Sequence, residues 1–301
     1  MINRALISLL LFLLPASAMA DLRETLGWGR LFDNDAMGDF HDRWQSGAYS
    51  ISLLQGPQWM GHLPEQFGSV LEYRLTGRTV TAANLADPAP GDRRYAAPLS
   101  FGLHTHMRWQ GLEASLGADL VAIGPQTGIS RFQSWLHGAL GVAKPDLSDQ
   151  FGNAFYPTLN AELGRSFGLS DSLTLRPFVS AEAGLENTVR AGGDLIIGNF
   201  GQGGLLLRDE TTGQRYRGIK GDETPGMSFT LGGDVAHVFS SALLPEGGGA
   251  VASETRGRIR AGLWWQGDQS SVFYGMTYLT PEFDGQSEGQ VVGSINLNLR
   301  F

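Results

Sequence analysis

The feature that most constrains this chain is an alternation of apolar and polar residues that recurs in segments of about ten residues. Residues 112–120 show it, because five apolar side chains alternate with Glu113, Ser115, Gly117 and Asp119. The last segment repeats it, with Ile295, Leu297, Leu299 and Phe301 alternating with polar residues. Successive side chains of a β-strand point to opposite faces. The pattern therefore predicts strands that each have one apolar and one polar face.

About twelve such segments follow one another along the chain. They cover residues 24–34, 46–56, 68–82, 95–109, 111–123, 153–168, 171–187, 188–198, 226–241, 254–268, 269–281 and 287–301. An even number of antiparallel strands is typical of bacterial outer-membrane barrels. The sequence therefore predicts an all-β fold, an outer-membrane antiparallel β-barrel of about 12 strands. Residues 199–225 are expected to form an extracellular loop or a hairpin extension.

A soluble two-sheet sandwich would show the same alternation, so three further features favour the barrel. Charged side chains occupy the middle of the polar faces, which suits a polar lumen: Glu72, Arg74, Arg78, Arg258 and Arg260. Aromatic residues lie near strand ends, as they do at bilayer surfaces: Trp59, Trp109, Trp264, Trp265, Tyr274 and Tyr278. The chain also ends on an aromatic strand, at Phe301, as barrels of the Gram-negative outer membrane do.

The first twenty residues have the pattern of a secretory signal peptide. Arg4 precedes an apolar run, and Ala-Met-Ala precedes Asp21, so we expect cleavage after Ala20 and a single barrel domain over 21–301. The chain contains no cysteine, which excludes a small disulfide-stapled domain. Its formal net charge of −8, without a basic run, argues against nucleic-acid binding.

One segment departs from the strand pattern. Within residues 124–141 the apolar side chains recur at helical spacing, at Ile129, Phe132, Leu136 and Leu140. This predicts a short helix between strands 5 and 6. Gln133 and His137 are four residues apart, so they share another face of that helix. We expect the helix to lie at the barrel rim or to fold inward, with both polar side chains facing solvent or the lumen.

Polar residues crowd the turn after the first strand. Residues 31–50 contain Asp33, Asn34, Asp35, Asp39, His41, Asp42 and Ser46. Oxygens this dense suit either a hard cation such as Ca²⁺ or an ordinary polar turn. The alternation of the second strand predicts that Ser46 points into the lumen.

Two further pairs of residues are candidates for binding. Arg93 and Arg94, just before the fourth strand, suit bidentate phosphate binding or simple solvation. His104 and His106 share one strand face, where they would act as metal ligands or, as we expect, pack in the lumen.

Taken together, these residues resemble the LpxR family of outer-membrane lipid A 3′-O-deacylases. The matching pieces, in chain order, are Asn34-Asp35, Asp42-Arg43-Trp44-Gln45-Ser46-Gly47, Gly91-Asp92-Arg93, Ile123-Gly124-Pro125, Gln133 with His137, and Asp149-Gln150 with Asn153. The resemblance extends over the exported chain in strand number and in the terminal Phe301. Its specific part lies between residues 31 and 153.

The resemblance implies a calcium-dependent hydrolase that removes the 3′-linked acyloxyacyl chain of lipid A, with lipopolysaccharide as its substrate. His137 would be the general base that activates water, and Gln133 would orient His137 or the substrate. Asp35, with Asn34 beside it, would bind the Ca²⁺ that polarises the ester carbonyl. Ser46 stands where the family has threonine and keeps the hydroxyl. The implied catalytic set is therefore His137, Asn34, Ser46 and Gln133.

The chain departs from the family at one point. The family has a functional lysine in the loop before the Gly-Asp-Arg piece, whereas residues 83–90 contain none and the lysines here are Lys144 and Lys220. The candidates to supply that positive charge as substrate-binding residues are Arg78, Arg93 and Arg94. The other expected partners are outer-membrane lipids and, through Phe301, the barrel-assembly machinery. We expect a monomer.

Two other functions stay open on the sequence. One is a phospholipid acyl hydrolase with Ser46 as the nucleophile and His137 as its base. Other outer-membrane acyl hydrolases often use His-x-Ser, and none of the six histidines here is followed by serine at the second position. The other is a non-enzymatic structural or passive-transport barrel whose helix plugs the lumen. A pore would conduct ions, whereas a deacylase with a filled lumen would not.

Overall fold

The computed structural model describes residues 23–222 and 224–298. The strands are β1 (Glu24–Asn34), β2 (Gln45–Gly56), β3 (Val70–Val80), β4 (Leu99–Trp109), β5 (Leu112–Ile123), β6 (Ala154–Gly164), β7 (Phe167–Ser170), β8 (Leu173–Ala183), β9 (Glu186–Ile197), β10 (Leu205–Arg208), β11 (Arg215–Ile219), β12 (Gly226–Ser241), β13 (Val251–Ala252), β14 (Thr255–Gln266), β15 (Ser271–Leu279), β16 (Phe283–Asp284) and β17 (Gln290–Asn298). The helix α1 (Ile129–Leu140) lies between β5 and β6, as predicted. No helix in the described residues is long and apolar enough to cross a membrane. The predicted signal peptide and Phe301 lie outside the described residues.

Twelve long strands of the described chain close into one antiparallel barrel. Around the wall the order is β6, β5, β4, β3, β2, β1, β17, β15, β14, β12, β9 and β8, and β8 pairs back onto β6. The first and last strands meet with Phe32 opposite Ile295. The predicted barrel of about 12 strands is confirmed, and closure of the sheet excludes the soluble sandwich.

The two faces of the wall carry opposite kinds of side chain. On β3, Glu72 and Arg74 are buried on the inside, whereas Leu75 is 44% exposed on the outside. On β4 and β5, the outward Phe101 and Leu120 are 58% and 51% exposed. An apolar surface of this extent is stable against lipid acyl chains and not against water. The alternation in the sequence therefore separates a polar lumen from a lipid-facing surface.

A hairpin made of β10 and β11 occupies the lumen. It belongs to the connection between β9 and β12, which leaves the wall at the end where β1 begins and β17 ends. Its Leu207, Tyr216 and Ile219 are at most 2% exposed and form one apolar cluster with Leu31 and Leu54 of the wall. Residues 199–225 are therefore an internal hairpin. The extracellular-loop alternative is wrong, because this connection lies at the end of the barrel opposite to α1.

Ion pairs tie the hairpin to the inner face of the wall. Arg208 donates to Glu162 of β6 at 2.6 Å and to Asp194 of β9 at 2.7 Å. Arg260 of β14 also donates to Asp194, at 2.6 Å. Buried charges are tolerated when they are paired and hydrogen-bonded in this way. A cavity of 170 Å³ remains between hairpin and wall.

Loops cover the lumen at the end that carries α1, which we call the outer end. Phe151, after α1, and Leu243, after β12, are buried together with Val80, Val121 and Ile123 of the wall. A second apolar cluster includes Trp44, Leu244, Ala250 and Phe283, beside the short β13–β16 sheet. Apolar packing therefore closes the lumen at its outer end, while the hairpin fills it from the other end.

Candidate functional site

The helix α1 lies against the outside of the barrel wall. Gly77 of β3 faces outward, on the same side as the exposed Leu75 and opposite to Arg74 and Arg78, which line the lumen cavity. A Cβ atom added to Gly77 would lie 3.4 Å from Cδ1 of Ile129, the first residue of the helix. The missing side chain thus lets α1 approach the wall. Of the two expected positions, the barrel rim and an inward fold, the inward fold is wrong.

The polar face of α1 is turned towards the protein and its apolar face away from it. Ser130, Gln133 and His137 are buried. Phe132 and Trp135, in contrast, are 59% and 65% exposed. A helix in water buries its apolar side, and a lipid-facing position explains the reversal. Gln133 and His137 therefore face the gap between helix and wall, and neither solvent nor the lumen.

Glycines at both ends set the limits of this helix. Gly128 before it and Gly141 after it have φ values of 75° and 71°, in the left-handed region that favours glycine. The N–H of Gly141 donates to the carbonyl oxygen of His137 and closes the last turn. The chain then folds back, which places Ala143 beside His137.

The His137 imidazole is held by its backbone neighbour. Nδ1 lies 2.6 Å from the carbonyl oxygen of Ala143. A carbonyl only accepts hydrogen bonds, so Nδ1 carries the proton and donates it. In the neutral ring Nε2 is then an acceptor. This is the tautomer that a general base needs at Nε2.

The Asp42 carboxylate links His137 to the barrel wall. Its Oδ2 lies 3.5 Å from His137 Nε2, and its Oδ1 accepts a 2.6 Å hydrogen bond from the Ser46 hydroxyl. The Asp42 side chain is 39% exposed, whereas Ser46 is 4% exposed. The Ser46 hydroxyl thus donates to Asp42, and the carboxylate lies between it and the imidazole.

Ser46 meets this site because β2 has a bulge there. Gln45 and Gly47 pair with consecutive residues of β3, so Ser46 is an extra residue in the ladder. A bulge changes which face the following side chains take. The prediction that Ser46 points into the lumen assumed unbroken alternation, and the bulge directs its hydroxyl to Asp42 instead. The Asn34 side-chain amide donates to the Ser46 carbonyl oxygen at 2.9 Å and fixes the bulge to β1.

Gln133 is held by a buried tyrosine. The Tyr95 hydroxyl donates to Gln133 Oε1 at 2.8 Å, and Tyr95 is 6% exposed. Burial raises the pKa of the Tyr95 phenol, and the charge of Asp42 raises it further. The phenol therefore keeps its proton and acts as a donor. It connects the loop between β3 and β4 to the buried face of α1.

An open cavity of 510 Å³ adjoins these groups. It is lined by Asp42, Val142, Ala143 and residues 83–86, so both groups that contact His137 also face the cavity. Lys144 follows Ala143 in the chain, and its Nζ lies close to α1, because a Cβ atom added to Gly138 would be 3.1 Å from it. The cavity is thus bordered by the two residues that hold the His137 imidazole.

The Asp35 carboxylate, the predicted cation ligand, is already held by N–H donors. Its Oδ1 accepts from the Ala36 backbone and its Oδ2 from the Arg43 backbone, both at 2.8 Å. Burial raises the pKa of Asp35 to about 8, against the opposing effect of the Arg43 hydrogen bond. In the described residues no three His, Cys, Asp or Glu side chains form a group that could hold a metal ion. Cation binding at Asp35, with Asn34 beside it, stays a prediction.

The three arginines expected to bind substrate have other neighbours. Arg93 is 3% exposed and forms an ion pair with Glu282. Arg94 contacts the Asp149 carboxylate at 3.1 Å. Arg78 lines the lumen cavity, across the wall from α1. None of the three lines the cavity beside His137. Their role in substrate binding stays a prediction without support from this geometry.

The two strand histidines lie in the lumen. His104 Nε2 is 3.2 Å from Asp119 Oδ1, and His106 Nε2 is 2.7 Å from Glu72 Oε2. Each imidazole has its own carboxylate on a neighbouring strand. This is the lumen packing expected from the sequence.

Sequence reasoning missed Tyr95 and saw Asp42 only as part of a polar turn and of the matching piece that ends at Ser46 and Gly47. Tyr95 gave no signal, because it is brought to the site by a loop whose course no local pattern encodes. Of the predicted residues, the structure brings together His137, Ser46 and Asn34 around Asp42, with Gln133 on the same face of α1.

Comparison with known proteins identifies relatives of the whole chain. The family model described as outer membrane protein LpxR matches residues 5–301. The solved structure of LpxR from Salmonella typhimurium is 17% identical, covers 91% of this chain and 100% of its own, and has a TM-score of 0.74. The CymD monoaromatic hydrocarbon channel (12% identity, 96% and 91% coverage) and the NanC porin (6%, 91% and 100%) have TM-scores of 0.42 and 0.41. No curated protein matches the sequence.

Proposed function

Because the chain belongs to the LpxR family of outer-membrane proteins, we propose that it is a lipid A deacylase that hydrolyses the ester of the 3′-linked acyloxyacyl chain. The observation that carries the proposal is the state of His137. Its Nδ1 is fixed on the Ala143 carbonyl, its Nε2 faces the Asp42 carboxylate, and both of these neighbouring residues line an open cavity. That cavity lies among loops of the outer end, where an ester of an outer-leaflet lipid can approach.

In the proposed reaction His137 is the general base. Nε2 takes a proton from water while the water oxygen attacks the ester carbonyl carbon. The tetrahedral intermediate collapses, the bond to the 3′ oxygen breaks, and that oxygen takes the proton from Nε2. Asp42 stabilises the imidazolium that exists between the two transfers. The products are an acyloxyacyl fatty acid and a lipid with a free 3′ hydroxyl.

The remaining predicted residues have supporting roles in this proposal. Asn34 and Ser46 hold Asp42 in place, the first through the Ser46 carbonyl and the second through its hydroxyl. Gln133, anchored by Tyr95, orients His137 or the substrate. Lys144, which follows Ala143 of the cavity lining, offers a positive charge for a phosphate of the lipid.

Calcium dependence is retained as a proposal that comes from the family resemblance. Asp35 and Asn34 would hold the ion in this proposal, and no step of the reaction is assigned to it. Bound Ca²⁺ would supply electrophilic stabilisation of the ester carbonyl. Chelation of divalent cations tests the dependence directly.

A serine nucleophile is a weaker version of the mechanism. Ser46 is buried, and its hydroxyl donates to Asp42 and not to His137. A nucleophilic serine needs its base within hydrogen-bond reach. The two versions differ in outcome, because a serine mechanism passes through a covalent acyl-enzyme and water attack does not.

The first experiment is mass spectrometry of lipid A from cells that express the wild type, His137→Ala or His62→Ala. His62 is an exposed histidine in the loop between β2 and β3, at the other end of the barrel, so its variant is the matched control. We expect the loss of one acyloxyacyl unit with the wild type and the control, and intact lipid A with His137→Ala. A chelator added to the purified protein tests the cation. Intact lipid A with folded wild type and cation present would refute the proposal.

A further inference from the structure

A second cavity lies inside the rim of the barrel at the end opposite to α1, which is the periplasmic end of an outer-membrane barrel. This periplasmic cavity measures 300 Å³ and lies between the wall and residues 200–206, which lead into the β10–β11 hairpin. Glu113 of β5 and Arg215 of β11 line both it and the 170 Å³ cavity of the lumen, so the two cavities adjoin. The exposed His62 and Arg108 border it at the rim. Solutes of the periplasm can therefore reach charged groups of the lumen.

The ion pairs of the lumen leave positive charge in excess beside the periplasmic cavity. In the described residues, one continuous chain of ion pairs joins five arginines between positions 176 and 260 to four carboxylates, those of Glu113, Glu162, Asp194 and Asp234. Arg215 interacts with the charges of Arg176 and Arg208 and is a sixth arginine beside these carboxylates. Six arginines against four carboxylates leave two positive charges, which favours a dianion as the ligand.

The Arg215 guanidinium has hydrogen-bond donors that the protein does not use. Among the described residues it forms no ion pair, and its side chain makes one hydrogen bond, from Nη2 to the Leu206 carbonyl oxygen at 3.3 Å. A guanidinium carries five N–H donors in a planar fork that suits the oxygens of phosphate. Because Arg215 lines both cavities, its remaining donors border space that a solute can occupy. Arg108 supplies a second guanidinium to the same periplasmic cavity.

The Glu113 carboxylate determines which dianion fits. Its Oε2 accepts from Arg176 Nε at 2.5 Å and its Oε1 from the Ser166 N–H at 3.2 Å. Each carboxylate oxygen has two lone pairs, so Glu113 can accept a further hydrogen bond from a ligand. Hydrogen phosphate carries an O–H that donates to such an oxygen, whereas sulfate has only acceptors and is repelled by the carboxylate. A phosphodiester headgroup has a single charge and no O–H, so it matches neither Glu113 nor the charge excess.

We propose that the periplasmic cavity is a binding site for inorganic hydrogen phosphate. Arg215 and Arg108 would contact the anionic oxygens, and Glu113 would accept the hydrogen bond of the phosphate O–H. The site is separate from the cavity beside His137, because it lies at the other end of the barrel and inside the wall. The proposal therefore does not depend on the proposed function.

Calorimetric titration of the purified full-length protein in detergent with inorganic phosphate tests the site. We expect saturable binding at one site by the wild type and at least about tenfold weaker binding by Arg215→Gln, which loses charged hydrogen bonds to the ligand. Arg215 forms no ion pair, so this variant should keep the heat-modifiable gel migration of a folded barrel. Arg165→Gln is the matched control, because Arg165 is an exposed arginine at the same end whose guanidinium lies over the Phe167 ring. Absence of saturable binding by the wild type, or equal affinities of wild type and Arg215→Gln, would overturn the proposal.

A rim variant and a series of anions test the recognition itself. Arg108→Glu reverses a charge at the exposed rim without touching the chain of ion pairs, and we expect it to weaken phosphate binding several-fold. Sulfate and glycerol 3-phosphate, both dianions without an O–H on the charged group at mildly alkaline pH, should bind more weakly than phosphate. Binding of sulfate as tight as that of phosphate would refute the assigned role of Glu113 and with it the selectivity for hydrogen phosphate.

Discussion

At the scale of single residues, the site depends on how Asp42 is placed against His137. Asp42→Asn keeps the shape of the side chain and removes the charge that would stabilise the imidazolium. We expect hydrolysis to fall by about ten- to a hundredfold, since general-base catalysis contributes about 10²–10⁴ and the base itself stays. Initial rates of lipid A deacylation measure this, with Asp268→Asn, in the exposed turn between β14 and β15, as the control. Equal rates for Asp42→Asn and wild type would remove Asp42 from the mechanism.

The Tyr95 hydroxyl gives a second test at this scale. Tyr95→Phe removes the hydrogen bond to Gln133 Oε1 and leaves a buried acceptor without its partner. We expect a loss of about 1–3 kcal/mol in unfolding free energy and a several-fold slower hydrolysis. Tyr156→Phe is the control, because no hydrogen bond of the Tyr156 hydroxyl is found among the described residues. An unchanged unfolding midpoint for Tyr95→Phe would contradict the assigned role.

Asp35 makes the turn after β1 sensitive to pH. Burial raises the pKa of Asp35 to about 8 in the folded protein from an ordinary value of 3.8. A raised pKa means that folding favours the protonated carboxyl. The contribution of Asp35 to the unfolding free energy is therefore complete below pH 3.8 and is lost as pH rises through about 8. In the presence of a chelator, so that no cation binds the carboxylate, we expect the wild-type unfolding midpoint to fall between pH 6 and pH 9.5 more steeply than that of Asp35→Asn. Parallel curves for the two proteins would show that Asp35 does not titrate in this range.

At the scale of elements, the contact between α1 and β3 can be broken without touching a polar residue. Gly77→Phe places a ring where only the Ile129 side chain fits, so the helix must move away from the wall. We expect a folded barrel, seen as retained heat-modifiable migration in gels, with hydrolysis reduced at least about tenfold. Gly193→Phe on β9 is the matched control, since an added Cβ there lies no closer than 3.8 Å to any neighbour. Equal activity of both variants would mean that the site does not depend on this contact.

The sequence could predict the wall strands and the existence of α1, because the alternating and helical spacings are local patterns. It could not predict the orientation of α1. The stripe that includes Phe132 and Leu140 has the spacing of a buried face, and the sequence does not state that the surrounding medium is lipid. It could not predict the direction of Ser46 either, because a single bulge residue changes the face of a side chain. The internal position of the β10–β11 hairpin depends on long-range packing onto Leu31 and Leu54, which no local pattern contains.

At the scale of the whole molecule, the inner side of the barrel wall carries the packing that fills the lumen, and the outer side carries the candidate functional site. The inner side is filled with ion pairs and with the hairpin, as the contacts of Arg208 show. The outer side carries α1 with His137. A passive-transport barrel would need the reverse, an open lumen with unobstructed ends. The monomeric state and the barrel-assembly machinery as a partner stay predictions at this scale.

The closed lumen leads to a prediction about conductance. The hairpin can be removed cleanly, because the Asp222 N–H donates to the Gln202 carbonyl at 2.9 Å and the two ends of the excursion therefore meet. Deletion of residues 204–221 removes Arg208, one of the arginine partners of Glu162 and of Asp194, and uncovers the apolar cluster on the inner face of the wall. We expect a barrel that unfolds at lower temperature than the wild type or than a control lacking 246–249.

In planar bilayers we expect no channels from the wild type and none from the deletion, since the apolar cluster around Phe151 still closes the outer end. Channels from the deletion alone would show that the hairpin is the main seal, whereas channels from the wild type would restore the transport function as the better explanation of this barrel.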